Sequence, residues 1–250
     1  MKPYLDSFVA MAHRGFSLDG LENSMAAFAA AVDLGFRYLE TDAHATSDGV
    51  AVSLHDGTLD RTTDARGRVK ELPWRQVREA RIGGVEPVPL LADLLGAWPD
   101  VRVNIDVKDE AAIYPVAEVI ERTRAHDRVC VASFSAARRR ATVRRLSRPV
   151  ATSAATGEIA RFVLAARMRR PATAIAEAVD CLQVPARQGP LTVVDERTVA
   201  TAHAAGLPVH VWTVNEADEM RRLLDLQVDG LITDRGDILV QVLAERGMKP

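Results

Sequence analysis

Val101-Arg102-Val103-Asn104-Ile105-Asp106-Val107-Lys108 alternates apolar, mostly β-branched residues with polar ones. A period of two reads as a strand. A helical stretch rich in Ala, Val, Glu and Arg follows over 110–126, and then a second β-branched run over 128–133. Strand, helix and strand in so short a span make a βαβ unit, whose two strands run parallel. The same alternation continues outward in both directions. Strands are expected over 8–13, 37–42, 101–107, 128–133, 149–152, 180–184, 208–212 and 230–233. Helices are expected over 24–34, 90–97, 110–126, 136–146, 158–169, 196–205, 216–226 and 238–245. Eight of each predict an α/β fold, and at 250 residues the natural closure is one TIM (β/α)8 barrel spanning 1–250. An open doubly wound sheet is the alternative that the pattern allows.

Strand after strand ends in polar residues: His13-Arg14-Gly15, Glu40-Thr41-Asp42, Asp106-Val107-Lys108, Ser133-Phe134, Gln183, Trp212 and Thr233-Asp234. In a barrel these ends gather on one rim, where active sites are built. Glu40 and Asp42 are two apart, so they share a face, as do Asp106 and Lys108, and His210 and Trp212. Glu40, Asp42 and Asp106 would converge. Three carboxylates at close range repel unless they share protons or bind a cation. An all-oxygen set suits Mg²⁺ or Ca²⁺, with Mn²⁺ as a further option. His13 ends the first strand and His55 follows a short run over 50–54. Imidazoles titrate near ~6.5, which suits proton transfer in both directions at neutral pH, so the two form a candidate acid–base pair. His44 reads as a rim residue, His126 and His203 as surface residues on helices, and His210 as packing near Trp212.

One segment breaks the rhythm. Residues 56–88 form an excursion too long for an ordinary connection, and they are expected to be a small insertion capping the catalytic face. Gly35, Gly206 and Gly230 read as helix caps, and 246–250 as a frayed tail.

Composition excludes several classes. Net charge is -2 with a pI near 6.3, so nothing global attracts nucleic acid. The arginines at 138, 139, 140, 144, 145 and 148 read as a solvated helix face. Cys130 and Cys181 sit in apolar runs as free buried thiols. The first seven residues lack an apolar leader core, and no apolar stretch is long enough for a membrane span, so the expectation is a cytoplasmic protein. No feature specifies a protein partner or an oligomeric state.

The motifs resemble those of the glycerophosphodiester phosphodiesterases. The matching stretches are His13-Arg14-Gly15, Glu22-Asn23-Ser24, Leu39-Glu40-Thr41-Asp42, Ser47-Asp48-Gly49-Val50, His55-Asp56, Leu59-Asp60-Arg61-Thr62-Thr63, Asn104-Ile105-Asp106-Val107-Lys108, Ser133-Phe134, Trp212-Thr213-Val214-Asn215 and Gly230-Leu231-Ile232-Thr233-Asp234. The resemblance implies a TIM barrel that cleaves small-molecule glycerophosphodiesters to sn-glycerol 3-phosphate and an alcohol, in lipid and glycerol metabolism. It implies His13 and His55 as acid and base, and Glu40 and Asp42 as divalent-metal ligands. Asp106 stands where the family usually has Glu, which sets that carboxylate back by ~1.5 Å. Leu21 stands where Pro usually precedes Glu-Asn. In the mechanism so implied, Arg14 and Lys108 grip the phosphodiester and Trp212 packs on the glycerol carbons, while Arg61 orders the insertion through Asp60 or Asp64. Two other readings fit the same barrel. A lysophospholipase D-like enzyme would need an apolar patch near the rim, for which the excursion offers Trp74, Ile82 and Val85. A degenerate barrel would bind phosphodiesters without turnover.

Overall fold

The structure, a computed structural model, describes residues 4–5 and 8–250. Of the stretch read for a leader, Met1, Lys2, Pro3, Asp6 and Ser7 lie outside the described residues. The parallel strands are β1 (Val9–Ala12), β2 (Tyr38–Ala45), β3 (Arg102–Val107), β4 (Val129–Ala132), β5 (Ala151–Thr152), β6 (Leu182–Pro185), β7 (Val209–Trp212) and β8 (Gly230–Thr233). The main helices are α1 (Met25–Asp33), α2 (Leu91–Ala97), α3 (Ile113–Thr123), α4 (Ala136–Val143), α5 (Thr156–Arg167), α6 (Glu196–Ala204), α7 (Ala217–Asp225) and α8 (Gly236–Ala244). Neighbours pair in the order β5-β4-β3-β2-β1-β8-β7-β6, all parallel. A parallel bridge between Ser153 and Cys181, with Asp180 N–H donating to the Thr152 carbonyl, joins β5 to β6 and closes the ring. The fold is therefore the TIM-type barrel expected from the alternation, and among the described residues its parallel strands leave no open edge of the doubly wound kind.

Each strand sorts its residues by the period of two. On β2, Leu39, Ala43 and Ala45 face the helices and join the main apolar core. Tyr38, Glu40, Asp42 and His44 take the other parity. At the bottom of the barrel Tyr4, Val9, Met11, Tyr38, Cys130, Cys181 and Ile232 fill the interior, and Tyr38 Oη donates to the Tyr4 carbonyl at 2.7 Å. Both cysteines are buried thiols outside any disulfide, as expected. No helix among the described residues is long and apolar enough to cross a membrane.

Residues 56–88 leave the barrel after a short strand, Ala51–Ser53, that pairs antiparallel with β2. Their Leu59, Val69, Val77, Ala80, Ile82 and Val88 build a small separate core with Val52 and Leu54. Leu21, from the loop after β1, packs against this core. Gly83 makes room for it: a Cβ there would lie 2.6 Å from Leu21 Cδ2. Leu21 thus docks the excursion onto the barrel.

Four expectations change. Gly230 is no cap: a Cβ there would strike the Val9 carbonyl oxygen at 2.6 Å and His210 Cδ2 at 2.9 Å, so its bareness admits the buried His210 to the barrel. His126 is buried, with Nε2 3.1 Å from Glu121 Oε1, because the chain turns inward through a short 3-10 helix (His126–Arg128). The tail after α8 is folded back: Gly247 adopts φ 69 and Met248 N–H donates to the Leu243 carbonyl at 2.9 Å. Arg139 is buried rather than solvated.

Candidate active site

The chain reverses sharply after β1. Arg14 and Gly15 both take positive φ, 56 and 84, and a Cβ at Gly15 would lie 2.6 Å from the Ala27 carbonyl carbon. This turn leaves His13 and Arg14 at the rim. A cavity of about 830 Å³ opens there, and His13, Arg14, Glu40, Asp42, His55, Asp106, Lys108 and Trp212 all line it. The structure brings together every residue named from the sequence as catalytic, substrate-binding or metal-ligating.

The two histidines are held alike. His13 Nδ1 donates to Asp234 Oδ1 at 2.6 Å, and His55 Nδ1 donates to Asp56 Oδ1 at 2.6 Å. A carboxylate only accepts, so both Nδ1 atoms carry hydrogen and Nε2 of each ring lies outside that bond, His13 Nε2 being 3.8 Å from Glu40 Oε2. Asp234 is clamped in turn: Asn215 Nδ2 donates to its second oxygen at 2.9 Å, and Asn215 Oδ1 accepts from the Asp234 N–H. Burial works against the His13 imidazolium, but Glu40 and the bond to Asp234 outweigh it and raise the His13 pKa above its ordinary value.

The register of β2 on β3 sets Asp42 opposite Asp106. Lys108 Nζ spans them, 3.1 Å from Asp42 Oδ1 and 3.2 Å from Asp106 Oδ2. Arg14 Nε lies 2.9 Å from Asp42 Oδ2, though its N–H does not point along the contact. Asn23, at φ 61, donates from Nδ2 to Asp42 Oδ2 at 3.0 Å and accepts from Thr41 Oγ1. Burial would raise the Asp42 pKa, but Lys108, Arg14 and Asn23 hold it below the usual carboxylate value. Glu40 is different. Burial, then Asp42, push its pKa well above the usual range despite His13 and Arg14. Burial likewise raises that of Asp106, whose Oδ1 is buried with no hydrogen-bond partner.

Three carboxylates thus share two close cations, Arg14 and Lys108, and Arg14 also serves Glu22 at 3.1 Å. The charge shortfall and the orphaned Asp106 Oδ1 fit a hard cation bound by oxygen. The carboxylates do not yet form a closed shell: among the described residues no three acidic, histidine or cysteine side chains stand ready to hold a metal. Lys108 Nζ lies between Asp42 and Asp106.

Arg61 does not bond to Asp60 or Asp64, the partners expected from the sequence. It pairs with Asp56 at 2.7 Å and with Glu22 at 2.7 Å, while Asp60 and Asp64 accept from the backbone of Gly67 and Arg81. Arg61 therefore ties the His55 loop to the loop after β1. Three residues placed on the rim from the sequence, but given no site role there, take one in the structure: Asp234, bonded to His13; Phe134, edge-on to Trp212 at 6.0 Å with Lys108 over its ring at 5.7 Å; and His44. His44 is buried, with Nδ1 2.8 Å from Asp109 Oδ2 and Nε2 3.1 Å from the His55 carbonyl oxygen. It anchors the backbone that carries His55. Its parity with Asp42 on one strand was the available signal. His44→Phe keeps the ring and removes both bonds, and it should lower kcat roughly 10- to 100-fold with KM little changed, since small misplacements of a reacting group cost that much. Steady-state kinetics on folded protein checks this; wild-type kcat would show that the anchor is dispensable.

The profile of the glycerophosphoryl diester phosphodiesterase family matches residues 13–238. A Mycobacterium tuberculosis protein described as "Probable glycerophosphodiester phosphodiesterase 2" is 50% identical over 242 residues, 96% of this chain and 92% of that one. Glycerophosphodiester phosphodiesterase of Agrobacterium tumefaciens shares the fold at TM-score 0.74 and 21% identity, over 95% of this chain and 99% of its own. So does a phosphodiesterase of Oleispira antarctica, solved in complex with the product sn-glycerol-3-phosphate, at TM-score 0.75 and 20% identity, over 94% and 96%. The two structures speak to the barrel alone, whereas the profile and the half-identical relative run through both histidines and all three carboxylates, and on them this chain belongs to the glycerophosphoryl diester phosphodiesterase family.

Proposed function

We propose that the protein hydrolyses glycerophosphodiesters to sn-glycerol 3-phosphate and an alcohol, by paired histidine acid–base chemistry assisted by a divalent cation. The observation that carries this reading is the matched pair of imidazoles. Each has Nδ1 fixed by a carboxylate, and both line one cavity with two cations and three carboxylates. A binding-only barrel has no need of two such oriented groups.

The anionic phosphodiester is drawn to Arg14 and Lys108. One imidazole, neutral at Nε2, takes the proton from the attacking oxygen, which comes from water or from the glycerol 2-hydroxyl. That oxygen bonds to phosphorus as the bond from phosphorus to the alcohol oxygen breaks; attack by water gives sn-glycerol 3-phosphate directly, whereas attack by the 2-hydroxyl gives a cyclic 2,3-phosphate that a water molecule then opens, one P–O bond forming as the bond to O2 breaks and takes up a proton. The other imidazole, protonated at Nε2, gives its proton to the departing alkoxide. Asp234 and Asp56 keep each ring in the required tautomer and orientation. Trp212, braced by Phe134, offers the glycerol carbons an apolar face.

Glu40, Asp42 and Asp106 would hold the cation, Mg²⁺ or Ca²⁺ or alternatively Mn²⁺. It supplies Lewis-acid stabilisation of the charge that develops on the phosphoryl oxygens. EDTA stripping is expected to lower release of sn-glycerol 3-phosphate from glycerophosphocholine by ~100-fold or more, and adding back one of these ions should restore it. The Tm should rise with the same ion, because a ligand bound only by the folded state stabilises it. Full turnover by the stripped protein would remove the metal from the mechanism.

A further inference from the structure

The cavity continues well past the reacting groups. Beyond His13, Asp106 and Lys108 it runs along one face of α5, where Thr156, Ile159, Ala160, Val163, Leu164 and Arg167 all line it. Their spacing of three and four marks a single helical stripe. The opposite side is the extension after β6, a two-stranded hairpin (Arg187–Gln188 with Leu191–Thr192), which brings Leu191 and Val193. Phe134, with Lys108 Nζ 5.7 Å from its ring and Trp212 edge-on at 6.0 Å, lines the cavity beside the phosphodiester-binding residues. Phe134, Leu164 and Leu191 are 59%, 58% and 41% exposed, and all three border this one channel. Apolar surface gathered in this way, rather than scattered singly, marks a binding site.

The excursion, where an apolar patch was sought from the sequence, does not supply it. Ile82 is consumed by that segment's own core, as Trp74 is in part, and Val85 stands alone at the surface. The wall comes from α5 and the hairpin after β6 instead.

We infer that the channel between α5 and the Arg187–Thr192 hairpin is a subsite for a single alkyl chain, so that the substrate is a glycerophosphodiester carrying one aliphatic tail. The inference rests on the phosphodiesterase reading for its reaction, but on the channel alone for its ligand. Its length is set by the helix. Thr156 to Arg167 spans ~16 Å at the α-helical rise, about the reach of an extended chain of a dozen carbons. Arg167 stands at the far end of the stripe, donating to the Thr192 carbonyl oxygen at 2.7 Å and so joining the two walls. The continuity of the channel with the reacting groups argues for a substrate tail rather than a separate partner. The tail could be an acyl group on the glycerol or the alcohol itself, and the two sources share the chemistry of the channel.

The test uses chains of six to twelve carbons, kept below their micellar concentrations. One series is 1-acyl-sn-glycero-3-phosphocholines and the other is sn-glycero-3-phosphoalkanols, with glycerophosphocholine as the chainless reference. A half-covered chain should raise kcat/KM roughly twofold per methylene, or about 15-fold over four, in at least one series. The series that rises identifies the source of the tail. Leu164→Asp with Leu191→Asp, both at exposed positions outside the reacting groups, should flatten that slope and leave glycerophosphocholine turnover unchanged. Calorimetric binding of dodecylphosphocholine, which has the tail and a phosphodiester but no glycerol, reads the subsite without turnover, and the double variant should weaken it about tenfold or more. Flat chain-length dependence in both series beside active glycerophosphocholine hydrolysis overturns the subsite. So does absence of dodecylphosphocholine binding, whatever the turnover. Dodecylphosphocholine binding with no hydrolysis of any diester would keep the subsite and sink the phosphodiesterase reading. If the wall instead covers a second copy of this chain, the double variant would shift the sedimentation mass and leave alkyl binding intact, which also overturns it.

Discussion

His13→Gln and His55→Gln are each expected to lower kcat for release of sn-glycerol 3-phosphate by ~10³-fold, within the range that a positioned acid or base contributes. Glutamine keeps a polar side chain but cannot cycle a proton. The double variant should lose little more than either single one, because removing a proton from the attacking oxygen and delivering one to the leaving oxygen are halves of one displacement. Wild-type kcat should follow a bell in pH, one limb for each imidazole, and each single variant should lose a limb. Asp234→Asn, which leaves Nδ1 of His13 without its carboxylate, should fall roughly 10- to 100-fold, as expected for a residue acting through the ring it orients. Near-wild-type kcat in either histidine variant, with an unchanged circular dichroism spectrum, would take that histidine out of the reaction.

The catalytic rim was readable because it obeys periodicities that need no knowledge of distant partners. A parallel barrel collects the carboxyl ends of its strands, so polar residues at those ends had to meet. Parity then decided that Glu40, Asp42 and Asp106 share the interior, and the pairing of Asp42 with Asp106 realises this. Loops carry no such rule. Arg61 has carboxylates at positions 60 and 64 as sequence neighbours, yet its partners are Asp56 and Glu22, the latter 39 residues away in sequence. The apolar channel was missed for a related reason. Ile159, Val163 and Leu164 look like ordinary core-facing residues of an amphipathic helix, and only the hairpin after β6, standing opposite, turns that stripe into a wall.

Arg139→Ala is expected to destabilise the protein by ~3–5 kcal/mol, the cost of leaving a buried charge without its partner. A run of arginines reads as a solvated face, and Arg140 behaves that way: its side chain is 56% exposed and its nearest carboxylate contact is 3.8 Å. Arg139, one residue earlier, points the other way and is 2% exposed. Nη1 and Nη2 each donate to the Glu158 carboxylate, at 2.7 and 3.0 Å, and Nη1 also donates to the Ser153 carbonyl at 2.6 Å. Glu158 is as deeply buried and accepts from the Ala155 N–H at 2.8 Å, closing the first turn of α5. The pair therefore fastens α4 to the exit of β5 and to the helix that forms the channel wall. At this chain length ~3–5 kcal/mol corresponds to a Tm lowered by ~10 °C, whereas Arg140→Ala should change stability by less than ~0.5 kcal/mol. The pH dependence has a definite sign. Burial alone would raise the Glu158 pKa, but Arg139 and the Ala155 N–H lower it below the ordinary value. Its contribution is thus fully present above the ordinary Glu pKa of ~4.3 and is lost as pH falls through the lower folded value. The Tm gap between wild type and Arg139→Ala should accordingly hold from neutral pH down to about pH 4.3 and narrow below it. Hydrogen exchange should report the loss first at the N-terminal amides of α5; a Tm within ~1 °C of wild type at neutral pH would mean that Glu158 is satisfied without the guanidinium.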